Sequence, residues 1–166
     1  MVMNPAHEIF DPQILAADLG EVCHIYADFF AKLNGVDWNK PVKGSPKEWN
    51  LHETIAHSVA LNGDGLASIK QTLRGEPYVF VGLDDRYQFN AYNRHGIDDH
   101  LSTPRQELCD QLLAILDQAV SIARNLQPGQ GELTAQMPIY NRPVRIVEVL
   151  SILIFHIGLV HTAQLT

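Results

Sequence analysis

Residues 50–75 read NLHETIAHSVALNGDGLASIKQTLRG, and their periodicity decides the fold class. Ile55, Val59, Leu66, Ile69 and Leu73 recur at steps of three, four and seven, which places them on one stripe of an α-helix. Asn50 and Glu53 form a variant of the capping box at the start, and Gly75 supplies a stop at the end.

The same grammar repeats on either side. Residues 12–34 carry Leu15, Leu19, Val22, Tyr26, Phe29, Phe30 and Leu33 at helical spacing, between an Asp11-Pro12 start and an Asn34-Gly35 stop. A third stripe runs through Leu108, Leu112, Leu113, Leu116, Ala119, Val120 and Ala123, from a Thr103-Pro104 start to a breaker at 127–131. A fourth begins near Pro143 and follows Val147, Leu150, Ile154, Ile157 and His161 to the end of the chain. Between the second and third, residues 76–101 hold the strand-like run YVFVGL and a short helical pattern over 84–94 capped by Asp84. A lone strand would have no partner. The expected fold is therefore all-α, a four-helix bundle with an irregular long connection between helices two and three, in a single domain spanning 1–166.

Composition narrows the function classes. The chain of 166 residues is 46% hydrophobic, and its 12 Lys and Arg against 19 Asp and Glu give a net charge of -7 with no basic run. Nucleic acid and anionic membrane surfaces are poor partners for such a chain, and a small-molecule substrate is the better expectation. The apolar stretch 149–160 is interrupted by Ser151, His156 and Gly158 and is too short for a bilayer of about 30 Å. Cys23 and Cys109 belong to no CxxC pair, so neither a thiolate zinc site nor a disulfide framework is indicated. The start MVMNPAHEIFDPQ lacks the features of a secretory leader, and the expected location is the cytoplasm. The glycines form no phosphate loop, Ser58 diverges from its neighbour His57 around the helix, and Asp84-Asp85 and Asp98-Asp99 read as helix-end charges.

The chemistry rests with the eight histidines. His7, His24, His95 and His100 fall in loops or on polar faces and read as solvated. His57 lies off the apolar stripe of its helix, on a face with Leu61 and Asp64 that would line a cleft, whereas His156 and His161 are set among apolar residues. A buried imidazole needs a hydrogen-bond partner or a metal, and both readings stand at this stage.

Three segments carry a family likeness: VDWNKPVKGSPKEWNLHETIAHSVALNGDGL at 36–66, RGEPYVF with DDRYQFNAYNRHGIDDHLSTPRQEL at 74–108, and FHIGLVHTAQL at 155–165. Together they resemble the DinB-like superfamily, and most closely its mycothiol-dependent maleylpyruvate isomerase N-terminal branch. Trp49 precedes His57 as the family's tryptophan precedes its first ligand histidine, and His161 with Gln164 matches the closing helix. The resemblance implies a helical bundle, often dimeric, that holds a divalent metal (zinc or nickel) between its second and fourth helices and uses a low-molecular-weight thiol. His57, His156 and His161 would be the ligands. Asp64, Gln164, Asn90 and Asn93 would be supporting or substrate-binding residues, with an ordinary helix-surface role as the alternative for each.

One position departs from the family pattern. The residue four before the last histidine, which in the family is His or Glu, is Ile157. His156 stands five before His161, which in a regular helix turns the two about 140° apart. Either a π-bulge beside Gly158 brings His156 next to His161 and rebuilds a three-histidine site with an open position, or the site is degenerate. The first outcome implies metal-dependent thiol transfer or detoxification, by Lewis-acid activation of a thiol or water. The second implies a non-catalytic bundle that binds a small ligand or a second copy of itself. The nearly all-round apolar fourth helix fits a homodimer face or a central place in its own bundle.

Overall fold

The computed structural model describes residues 11–43, 49–76, 86–137, 140, 142–154 and 156–157. Among them are five α-helices: α1 (Pro12–Ala31), α2 (Leu51–Leu73), α3 (Arg86–His100), α4 (Arg105–Asn125) and α5 (Ile146–Leu153). A 3₁₀ turn at Gln130–Glu132 and an antiparallel pair of two-residue strands, β1 (Thr134–Ala135) and β2 (Val144–Arg145), join α4 to α5. The chain is mostly helical, and no helix among the described residues is long and apolar enough to cross a membrane.

The local signals act where the sequence places them. Asp11 Oδ1 accepts from the amides of Gln13 and Ile14 at 2.7 and 3.3 Å, with Pro12 as the first helical residue. At α2 both halves of the capping box form: the Glu53 amide donates to Asn50 Oδ1 at 2.9 Å, and the Asn50 amide donates to Glu53 Oε2 at 3.1 Å. α2 stops at Leu73, and Gly75 takes a φ of +70°, where a Cβ would be strained.

Three expectations are corrected. The connection between the second and third main helices is not irregular over its second half, because α3 is a 15-residue helix that extends to His100. It lies antiparallel on α2: Tyr92 donates to Asp64 Oδ2 at 2.6 Å near one end, and His52 Nε2 lies 3.3 Å from the His100 carbonyl near the other. Between these, Gly96 lets the backbones close up, since a Cβ there would come within 2.8 Å of Ala60 Cβ. The strand-like YVFVGL run lies outside the described residues.

α4 begins one residue later than expected, with Pro104 at the N-cap and no side chain capping it, and the Thr103 amide closes the end of α3 on the His100 carbonyl at 3.0 Å. The last helix begins at Ile146 rather than near Pro143, because Val144 and Arg145 pair with Ala135 and Thr134 first. Glu148 then accepts from the Arg145 amide at 2.8 Å.

The core is built around α4, which packs against α1 and α2, while α5 packs against α1, α2 and α4. Leu19, Leu108, Leu112, Leu116, Leu150 and Leu153 are fully enclosed, and burying each such side chain contributes about 1.5–3 kcal/mol. Ile146, Val147, Val149, Leu150 and Leu153 are all buried within one chain, while Ile152 and Ile154 are half-buried.

Candidate metal centre

The segment before α2 builds one wall of the site. The Val42 amide donates to the Trp49 carbonyl at 2.8 Å, and the His52 amide donates to the Trp38 carbonyl at 3.3 Å, so Trp38, Val42 and Trp49 are tied to one another and to the start of the helix. That start is clasped from α3 as well: Arg94 donates to Glu53 Oε1 at 2.9 Å and also to Asp98. The bonds to Asp98 and then to Glu53 hold the guanidinium protonated far above its ordinary range. Two turns into the helix His57 meets the Trp49 ring at 4.8 Å between centroids, which gives a physical reason for a tryptophan just ahead of the helix.

His57 is 4% exposed. The wheel-based expectation that its face lines an open cleft is thus corrected, since Trp49 covers one side of the ring and His156 meets another. The closing segment explains how His156 reaches it. After Leu153 the backbone widens, and Ile154, His156 and Ile157 take π rather than α winding. Extra length in the turn rotates the side chains that follow, and His156 Nε2 comes to 3.3 Å from His57 Nε2 with the rings nearly perpendicular at 76°. π winding, one of the two possibilities that the sequence left open, is therefore present at Ile154, His156 and Ile157. His161, and with it the expected approach of His156 to His161, lies outside the described residues, as does Gln164.

The separation between the nitrogens is compatible with two chemistries. One neutral ring can donate its N–H to the other, with the tautomers deciding which is the donor. Alternatively both nitrogens can present lone pairs to one ion, because two nitrogens about 2.0–2.1 Å from a tetrahedral zinc lie about 3.3 Å apart. The two side chains thus fit a shared divalent metal. Among the described residues no group of three His, Cys, Asp or Glu side chains could hold a metal ion.

The supporting residues separate into two kinds. Asp64 is not a free surface carboxylate: it is half-buried and takes the hydroxyl of Tyr92. Asn93 is 7% exposed, which corrects a helix-surface role, and its Oδ1 has no hydrogen-bond partner among the described residues. Asn90 is half-buried on the same helix. His24 and His95 are exposed, as expected, whereas His100 is half-buried; His7 lies outside the described residues.

Sequence reasoning missed three side chains. Tyr26, read as one more stripe residue, donates its hydroxyl to the Ile157 carbonyl at 3.1 Å. Tyr92 orients Asp64. Asn62, fully buried in α2, donates to the Ser58 carbonyl, and its Oδ1 has no partner among the described residues. For Asn62 a signal existed: Thr54, Ser58 and Asn62 repeat at four-residue steps, a polar line inside an otherwise apolar face.

A groove of about 480 Å³ opens on another side of α2, with α3 and α4 as its walls. Val59, Ala60, Ala114 and Ile115 make its floor, and Asp64, Tyr92, His95, Asp99 and Gln118 are among its polar lining.

No protein-family model matches the sequence, and no curated protein matches it. Among solved structures, the chain is similar to an uncharacterized protein from Clostridium difficile 630, with 9% identity over 93% of each chain and a TM-score of 0.69. At that identity the likeness concerns the fold alone.

Proposed function

We propose that this chain is a DinB-like four-helix bundle, with α1, α2, α4 and α5 as its main helices and α3 inserted between the second and third, and that it is a metal-dependent thiol-transfer or detoxification enzyme. The observation that carries the reading is the approach of His57 and His156, Nε2 to Nε2, through a π turn at the end of α5. In a regular helix the departure at Ile157 would leave His156 out of register; the wide turn supports its use as a ligand. His57 and His156 would hold a divalent ion, zinc or nickel, with His161 as the third ligand implied by the sequence resemblance.

Such an ion, when bound, would supply Lewis-acid chemistry that lowers the pKa of a low-molecular-weight thiol. The chain's own residues do the rest. Trp49 keeps water from one face of the His57 ring, and the capping box with Arg94 fixes the start of α2 from which that ring projects. Asp64, which takes the Tyr92 hydroxyl, and Asn93 would be the supporting or substrate-binding residues that the sequence resemblance implies.

Elemental mass spectrometry after loading with Zn²⁺ or Ni²⁺ and dialysis tests the reading. Wild type should retain near-stoichiometric metal, and His57→Ala, His156→Ala and His161→Ala should each lose it. Metal-free wild type, or equal retention in all four proteins, would overturn it. The groove between α2, α3 and α4 favours a second reading, a non-catalytic binder of a small ligand with an apolar body, which a metal-free wild type would leave standing.

A further inference from the structure

We infer that Tyr26 is a positioning residue whose hydroxyl sets the π turn and thereby holds His156 against His57; its functional meaning rests on the metal-centre reading, while the pairing of the rings does not. Tyr26 is 2% exposed in α1, on a stripe where Phe would fill the core as well. Its ring is held edge-on by Phe30 at 5.5 Å and Phe29 at 6.4 Å, so the hydroxyl is delivered to a fixed place. That place is the carbonyl of Ile157, the residue after His156 and part of the wide turn.

The physical need is specific. A π turn replaces the i to i+4 ladder with i to i+5, is rarely stable on its own, and persists where a side chain or neighbouring element engages the displaced backbone. Ile157 is fully buried, and its carbonyl takes the Tyr26 hydroxyl at 3.1 Å. That contact ties the turn to α1 from outside the helix. The choice between α and π winding, and with it the direction of the His156 ring, is coupled to α1 through one hydroxyl that the core itself does not need.

The test uses the full chain and side-chain ¹⁵N spectra of its imidazoles. In wild type, His57→Gln should displace the His156 Nε2 resonance, because the two rings touch. In the Tyr26→Phe background the same substitution should displace it by less than about half as much, as expected when a shared contact is already lost. An equal displacement in both backgrounds overturns the inference, whatever happens to global stability. A Tyr26 with a merely structural role would lower the urea midpoint and leave the ring coupling intact.

A second arm reads Zn²⁺ affinity, which should weaken about 10- to 100-fold in Tyr26→Phe. If wild type binds no Zn²⁺, the metal reading fails and the ring coupling alone decides the inference. If wild type binds and Tyr26→Phe binds equally well, the metal reading stands and the inference fails. Should Tyr26→Phe not fold, 3,5-difluorotyrosine at position 26 keeps ring and hydroxyl while altering donor strength. It must then move the His156 resonances, and unchanged resonances overturn the inference.

Discussion

α2 and α4 have nearly the same length, 23 and 21 residues, and pack against each other, yet α4 buries an apolar surface and α2 a mixed one. The buried residues of α4 are Leu108, Cys109, Leu112, Leu116, Ala119, Val120 and Ala123. α2 buries Thr54, His57, Ser58, Asn62 and Ser68 along with its aliphatic residues. Thr54, Ser58 and Asn62 each donate to the carbonyl four residues back, which satisfies the two hydroxyls and the amide N–H of Asn62 but leaves the Asn62 Oδ1 without a partner among the described residues. His57 instead looks outward to Trp49 and His156. Buried polar groups cost stability unless partnered, so α4 reads as the helix that holds the molecule together and α2 as the helix that carries the buried polar groups of the candidate site.

The largest expected effect separates those roles. Leu116→Ala in α4 should destabilise the protein by about 2–5 kcal/mol, measured by urea unfolding, while metal retention in the folded fraction stays at the wild-type level. If Leu116→Ala abolished retention in protein still folded, the division between the two helices would be broken.

A smaller effect of opposite sign is expected in α2. Asn62→Leu removes a buried amide whose Oδ1 has no partner among the described residues, and should stabilise the fold by about 1–2 kcal/mol. A loss of stability would show that this oxygen is engaged in solution and that the polar line of α2 is needed as a whole.

The smallest effect lies in α4 and depends on pH. Burial, reinforced by the Asp110 charge, pushes the Cys109 thiol up to about 11 from an ordinary value of 9.0. The folded state therefore keeps its proton where the unfolded chain has lost it. Stability is full below pH 9 and falls as the pH rises towards 11, and Cys109→Ala should flatten that part of the slope. Urea midpoints across this window, with Cys23→Ala as a control for the other raised thiol, measure it. A slope unchanged in Cys109→Ala would mean that the apolar seat of this thiol is not what shifts it.

Helix existence was legible in the sequence wherever a side-chain cap met a continuous stripe. Asp11 with Pro12 and Asn50 with Glu53 act within three residues, so their geometry needs no tertiary partner. The starts of α4 and α5 were less legible, because no side chain caps α4 and Val144–Arg145 are drawn into pairing with β1. Strands of two residues are too short to show a period. α3 was underestimated because its burial is one-sided: it is anchored through Gly96, Tyr92 and Asn93 rather than through a stripe of large apolar residues.

Of the candidate site, the sequence by itself determined the residue types, the caps that start α2, and the five-residue spacing of His156 and His161, which a regular helix would turn apart. It could not choose between α and π winding, because both are open to the same local sequence and differ by a single step of the hydrogen-bond ladder. That choice belongs to the tertiary structure, where Tyr26 on α1 meets the Ile157 carbonyl and His156 meets His57 across the core. Periodicity and capping reach only a few residues along the chain, whereas the partners that set this turn are separated by 131 and 99 residues and meet only once the helices have packed.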